Sequence, residues 1–198
     1  GVGKTELAKS MATILDVRDE THDTRTFGLR FRDQAQHDTF SFRPGQFLEL
    51  SVFGVGEAPF CLASSPTRPE RIEVTVRRCG LVTDALHALQ VGDEVGLRGP
   101  CGNGFDVEAA QGWDLLFVAG GIGLPPLRGL IWNVLDRRDH FGRVTILYGA
   151  RTPADLVYKD ELELWARSAG VELKTTVDRG APGGEGNVGM VPDLFDQV

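Results

Sequence analysis

The chain has 198 residues, 41% of them hydrophobic and 25% charged, with a formal net charge of −7. That size holds one large domain or two small ones with adequate cores. The acidic surplus excludes a nucleic-acid binder, no apolar run reaches membrane-spanning length, and no signal-peptide core opens the chain, so a cytoplasmic protein is expected.

The opening Gly1-Val2-Gly3-Lys4-Thr5 looks like the second half of a P-loop. A working P-loop needs an earlier glycine and a buried strand before it, and a later strand ending in a magnesium-binding Asp. Neither is present, so an NTPase is disfavoured and residues 1–11 are set outside the domains. Residues 12–108 read as a β-domain. Segment 13–18 partly alternates and 26–32 alternates well, Pro44-Gly45 makes a turn, and further strands are expected at 46–53, 60–64, 71–77 and 95–98, with one short helix at 82–89. Six short strands separated by turn signals imply a small antiparallel barrel.

Gly99-Pro100-Cys101-Gly102-Asn103-Gly104 is a composition break, and the pattern changes after it. In residues 111–198 strands at 114–119, 144–149 and 171–177 alternate with helices at about 125–138 and 156–169, and a further helix is expected at 191–197. Such alternation predicts a parallel sheet covered by helices. The stripe Leu127, Leu130, Ile131, Val134 and Leu135 marks the buried side of the first helix. Its strand enters Gly120-Gly121-Ile122-Gly123, and a glycine turn opening a helix is a phosphate site, because free N–H groups and the helix dipole face the anion. Pro125 or Pro126 suits the first helical turn, where no N–H is needed. Residues 180–189 form a glycine-rich loop. The fold class is therefore all-β plus α/β.

Cys61, Cys79 and Cys101 make no CxxC pair, and His22, His37, His87 and His140 are scattered, so neither a metal site nor a disulfide framework is expected. The Arg77-Arg78 and Arg137-Arg138 pairs read as local contacts or solvated faces.

The barrel followed by a nucleotide-type domain resembles the ferredoxin–NADP reductase superfamily. Within it, the likeness is to flavin subunits of multi-subunit redox enzymes: the gamma subunit of soluble nickel–iron hydrogenase (sulfhydrogenase), the B subunit of anaerobic sulfite reductase and the electron-transfer subunit of dihydroorotate dehydrogenase. The residues that carry it are Arg43-Pro44-Gly45-Gln46-Phe47, Ala58-Pro59-Phe60-Cys61-Leu62-Ala63-Ser64-Ser65-Pro66, Val76-Arg77-Arg78-Cys79-Gly80-Leu81-Val82-Thr83, Gly99-Pro100-Cys101-Gly102, the Gly120 turn and Leu147-Tyr148-Gly149-Ala150-Arg151.

The resemblance implies that the barrel holds FAD and the α/β domain holds NAD(P)H, with electrons passing on to an iron–sulfur protein or a hydrogenase or reductase partner subunit. FAD would lie along Ala58, Pro59, Phe60 and Cys61 and beside Val74, Thr75, Val76 and Arg77, its pyrophosphate on Gly80, Leu81, Val82 and Thr83. Gly120, Gly121, Ile122 and Gly123, with Pro126 beside them, would take the NAD(P) pyrophosphate. Arg151 lies where the adenine ribose would sit, and either a 2′-phosphate or an ion pair with Asp155 suits it, so NAD and NADP both stay open.

Three departures stand out. Ala58 replaces an arginine that would pair with the flavin phosphate, and Phe60 lacks the usual tyrosine hydroxyl. Cys61, the candidate catalytic residue, replaces a serine or threonine near the reactive flavin nitrogen, where a thiol is a weaker donor; a small core residue is its other reading. The family's α/β domain has five strands in the order 3-2-1-4-5, of which three are found in this sequence. Its Cys-Gly strand and the cysteines that bind a [2Fe–2S] cluster in full-length relatives are not found. The expectation is a truncated subunit that binds FAD, binds NAD(P)H poorly, carries no cluster and leaves strand 115–119 as a sheet edge. A stand-alone flavin or ferredoxin reductase and an inactive interaction module are the alternatives.

Overall fold

The computed structural model describes residues 10–180 and 186–198. The Gly-Val-Gly-Lys-Thr start and half of the glycine-rich loop lie outside the described residues. Ser10 and Met11, expected to precede the barrel, instead open its first strand, because Met11 pairs with Gly96.

Strands β1 (Ser10–Thr21), β2 (Thr24–Phe31), β3 (Phe47–Val52), β4 (Gly56–Cys61), β5 (Ile72–Arg77) and β6 (Glu94–Cys101) form one antiparallel sheet in the order β4-β3-β6-β1-β2-β5. Their period of two sends Ile14, Leu29, Leu48, Leu50, Val74 and Leu97 into one core, each at most 1% exposed. The sheet curls until its end strands meet at a bridge between Leu62 and Val74. The strand expected at 60–64 begins earlier, at Gly56, because the hairpin from β3 pairs Val52 with Gly56. After Cys61 the chain leaves β3 and crosses to β5.

Among the described residues, helices α1 (Gln34–Thr39) and α2 (Leu81–Ala88) attend the barrel. α1 is absent from the sequence pattern because it buries no residue; Asp33 starts it by accepting from the N–H groups of Ala35 and Gln36 at 2.9 and 3.3 Å.

The second half runs β7 (Leu115–Gly120), α3 (Leu124–Asp136), β8 (Val144–Ala150), α4 (Lys159–Ala166), β9 (Val171–Val177) and β10 (Asn187–Val188), with a parallel sheet ordered β10-β9-β8-β7. Among the described residues the sheet has four strands where three were expected, since the two-residue β10 is too short to leave a hydrophobic run. α4 begins later than expected because Tyr158, in the left-handed region at φ 56°, blocks an earlier start. Segment 191–197 is a 3-10 turn instead of an α-helix. Strand β7 is the sheet edge: Phe117 and Ala119 join Leu124, Ile131 and Val134 in the second core, while Leu116 and Val118 on the other face are exposed.

Helix α3 joins the halves. One side sits in the second core, and the other runs along the segment that follows β4. Gly129 packs so closely on Ser64 that an added Cβ would fall well inside 3.0 Å of its carbonyl oxygen. Arg68 stacks over the Trp132 ring, 3.7 Å from its centroid, and grips Asp136 at 2.7 and 3.0 Å. Between these contacts Arg128, 5% exposed, donates to Glu73 of β5 at 2.6 Å, to the Ala63 carbonyl at 2.8 Å and to both oxygens of Glu161 on α4 at 2.6 and 2.8 Å. Arg18 donates to the same Glu73 carboxylate.

Burial alone would raise the Glu73 pKa, but the charges and hydrogen bonds of Arg128 and Arg18 outweigh it and hold the carboxyl below the ordinary glutamate value. A carboxyl lowered in the folded state contributes stability that is full above the unfolded value of about 4.3 and is lost as pH falls through the folded value. Chemical denaturation across that range should therefore show stability falling more steeply with acid in the wild type than in Glu73→Gln. At neutral pH that variant should be weaker by about 1–2 kcal/mol, since it leaves the buried Arg128 with one carboxylate, Glu161, in place of two. Parallel pH curves would contradict this.

Candidate functional site

The barrel's closure leaves a seam. β4 pairs with β3 and β5 with β2, and among the described residues the two end strands share the Leu62–Val74 bridge without forming a ladder. Along this seam lie Pro59, exposed, and Ala58, Phe60 and Cys61, all half-buried. Alternation puts Ala58 and Phe60 on one side of β4 and Pro59 and Cys61 on the other. Phe60 leans on the barrel core, leaving part of its ring for a planar ligand. Burial pushes the Cys61 thiol pKa up, so it stays a neutral, weak donor and not a thiolate nucleophile.

On the β5 side the side chains are committed elsewhere. Val74 and Val76 are fully in the core, and the Thr75 hydroxyl bonds to those of Thr26 and Tyr158. What Val74, Thr75 and Val76 can offer a ligand is backbone. α2 follows directly, starting at Gly80 with no side-chain cap, so its first N–H groups, from Leu81 to Thr83, lack that partner. A Cβ on Gly80 would meet nothing within 4 Å, and Leu81 is 73% exposed. The Thr83 hydroxyl, expected on the pyrophosphate, instead closes the turn: it donates to the Gly80 carbonyl and accepts from the Cys79 N–H, both at 2.8 Å. Open space, uncapped N–H groups and a half-exposed aromatic ring fit a flavin nucleotide. With alanine at 58, no arginine side chain anchors it from β4.

The glycine turn is built from β7 outward. Gly120 ends the strand, Gly121 to Gly123 make a 3-10 turn with Gly121 at φ +50°, and α3 starts without a side-chain cap. Cβ atoms on Gly120, Gly121 or Gly123 would all meet open space. The buried Tyr148 hydroxyl donates to the Gly121 carbonyl at 3.2 Å and accepts from the Val157 N–H, fixing the turn from below. Ile122 is exposed beside it, Pro125 is buried and Pro126 half-buried. This arrangement fits a phosphate placed over the turn.

Arg77 ends β5 inside a cavity of about 90 Å³ that it shares with Gly121, Ile122 and Arg151, so the two expected sites touch there. The space suits a phosphate, not a whole dinucleotide. Arg77 donates to Asp23 at 2.8 Å, and Thr21 and Thr24 donate to the same carboxylate. Burial works to raise the Asp23 pKa, but these bonds and the Arg77 charge prevail and hold it at about 2. Arg77 is therefore a strand-end residue paired with Asp23, and it lines the cavity of the glycine turn. The ion pair of Arg151 with Asp155 does not form: Asp155 accepts from Thr152 at 2.7 Å and lies 3.8 Å from His22, while Arg151 stands exposed with no side-chain partner among the described residues.

Arg128, Glu73, Glu161 and Tyr158 were not singled out by sequence patterns. One signal was available, a lone arginine between Leu127 and Gly129 on an apolar helix. Among the described residues no cluster of His, Cys, Asp or Glu can hold a metal ion, and no helix is long and apolar enough to cross a membrane.

Comparison with known proteins agrees with this division. Residues 11–105 match the oxidoreductase FAD-binding domain and residues 117–197 the oxidoreductase NAD-binding domain. The chain is 41% identical over 150 residues to the sulfhydrogenase 1 subunit gamma of Pyrococcus furiosus, a match covering 76% of this chain and 51% of that protein. It is 34% identical over 193 residues to a probable dihydroorotate dehydrogenase B electron transfer subunit of Thermococcus kodakarensis, covering 95% of this chain and 72% of that one. It spans about half the length of the two sulfhydrogenase gamma subunits that it matches. In fold it superposes on the ferredoxin reductase of carbazole 1,9a-dioxygenase with a TM-score of 0.79 and 23% identity, over 96% of this chain and 56% of that one. The open barrel seam, the glycine turn and these matches together place the chain in the ferredoxin reductase superfamily of FAD- and NAD-binding oxidoreductases.

Proposed function

We propose that this chain is the FAD- and NAD(P)H-binding part of an electron-transfer subunit that takes a hydride from the nicotinamide and delivers electrons to a partner. The partner is a hydrogenase or reductase subunit or another iron–sulfur protein. The supporting observation is the path of β5: the strand that borders the seam ends, at Arg77, in the cavity of the glycine turn. One strand thus touches both candidate nucleotide sites. Three free cysteines accord with a reducing, cytoplasmic setting.

FAD, when bound, supplies the step from two-electron to one-electron chemistry that no side chain performs. The chain's own residues bind and orient. The Phe60 ring and the Cys61 thiol border the ring system, the start of α2 carries the flavin pyrophosphate, and the Gly120 turn carries that of the nicotinamide nucleotide. Arg151, free of Asp155, favours a nucleotide with a 2′-phosphate, because a guanidinium fork matches a phosphate.

Titration of the chain with FAD should give a yellow protein that NADPH or NADH bleaches under anaerobic conditions at high nucleotide concentration, in keeping with the poor NAD(P)H binding expected of it. A protein that stays colourless would leave the interaction-module reading in place. Replacing Cys61 with Ser should leave FAD bound and speed its reduction, since a hydroxyl donates better than a thiol. A Cys61→Ser protein that loses flavin would count against a role beside the ring. Arg151→Ala should weaken binding of 2′,5′-ADP about tenfold, or about 1.4 kcal/mol, and leave 5′-AMP unchanged. Calorimetry with both fragments checks this, and equal losses would remove Arg151 from phosphate recognition.

A further inference from the structure

We propose that Arg128 is a positioning residue for hydride transfer, setting the register between the barrel seam and the glycine turn. The proposal rests on the oxidoreductase reading above. Its basis is where the guanidinium reaches. On the barrel side it bonds to the carbonyl of Ala63, two residues past Cys61, and to Glu73, the residue before Val74. Those are the two chain segments that meet at the Leu62–Val74 bridge, so one side chain holds both edges of the seam. On its own side it leaves α3 five residues after Gly123 and is fixed to α4 through Glu161, which also accepts from the Trp132 indole at 2.9 Å.

The levers are short and stiff. Five helical residues span about 7 Å and two strand residues about 7 Å, so a shift at Arg128 reaches Gly123 and Cys61 almost undiminished. Four N–H···O bonds from one planar guanidinium fix direction as well as distance, which a lysine with the same charge cannot do. The neighbouring Gly129 lets α3 lie directly on the Ser64 carbonyl, so the spacing is set by backbone contact while Arg128 sets the orientation. Tyr158 braces the same joint. Its hydroxyl meets Thr75 of β5, its N–H donates to Glu20 of β1 at 2.9 Å, and the Arg128 guanidinium lies 4.9 Å from its ring centroid. Hydride transfer requires the two rings stacked within bonding reach, and a displacement of about 1 Å can cost a hundredfold in rate.

The test uses the full chain loaded with FAD, as wild type, Arg128→Lys and Gly129→Ala. Stopped-flow reduction by NADPH and NADH separates the limiting rate from nucleotide affinity, and the long-wavelength charge-transfer band reports ring stacking directly. Hydrogen exchange of segments 62–77 and 124–136 checks that both halves remain folded. The expected result is a limiting rate at least tenfold lower and a weakened charge-transfer band in both variants, with FAD and nucleotide affinities within about twofold of wild type. An unchanged limiting rate and band would overturn the proposal. So would a fall in rate that tracks loss of FAD and of exchange protection across the chain, because that is what a merely structural residue gives. A wild type that holds no FAD is seen before any substitution is made. It would overturn the oxidoreductase reading, and the positioning role would fall with it.

Discussion

A buried arginine between two carboxylates from different halves of the chain is the constraint on which this structure turns. Arg128, Glu73 and Glu161 bring three charges out of water, which costs several kcal/mol per ion unless every charge is paired and hydrogen-bonded. Here they are: four donors of the guanidinium meet four acceptors, and Glu73 takes a second arginine from β1. An apolar joint of the same size would stabilise as well, but it would tolerate sliding. Directional bonds do not, and the elements they fix are the strand along the seam and the helix that opens at the glycine turn.

From that joint the rest of the architecture is intelligible. The barrel holds its own core, and the α/β half holds another, each closed without the other's side chains. Between them the contacts are polar: the arginine network, the Arg68–Asp136 pair, the cation over Trp132 and the Tyr158–Thr75 hydroxyl contact. A polar joint between two complete cores suits a protein that must present a cleft. Both faces of the cleft can then stay open where nucleotides bind while their spacing is held elsewhere.

Much of this was legible in the sequence. The two-domain grammar was visible because strand alternation stops at Gly99 and helical stripes begin after it, and eight of the nine expected strands lie where apolar periodicity put them. The glycine turn was legible because glycine takes a left-handed conformation such as that of Gly121, φ +50°, at least cost and leaves the backbone bare for an anion. What escaped were features without a periodic signature. α1 buries nothing, β10 is two residues long, and the start of α4 is decided by one left-handed residue. In the site, a residue's type could be read but not its company: Thr83 is turned back on its own loop, Arg77 is taken by Asp23, and Arg151 is released by Asp155. Arg128 escaped because a stripe pattern scores an arginine as solvent-facing, and only tertiary structure shows the two carboxylates that receive it.

In the proposed reaction a nicotinamide and a flavin exchange a hydride directly across this joint. The primary isotope effect on flavin bleaching tests it, by comparing NAD(P)H with its C4-deuterated form under anaerobic conditions at saturating nucleotide. Direct transfer predicts bleaching that slows several-fold with the deuterated nucleotide. Flavin that is bound but bleached only by a one-electron reductant, and not by either nucleotide, would contradict it.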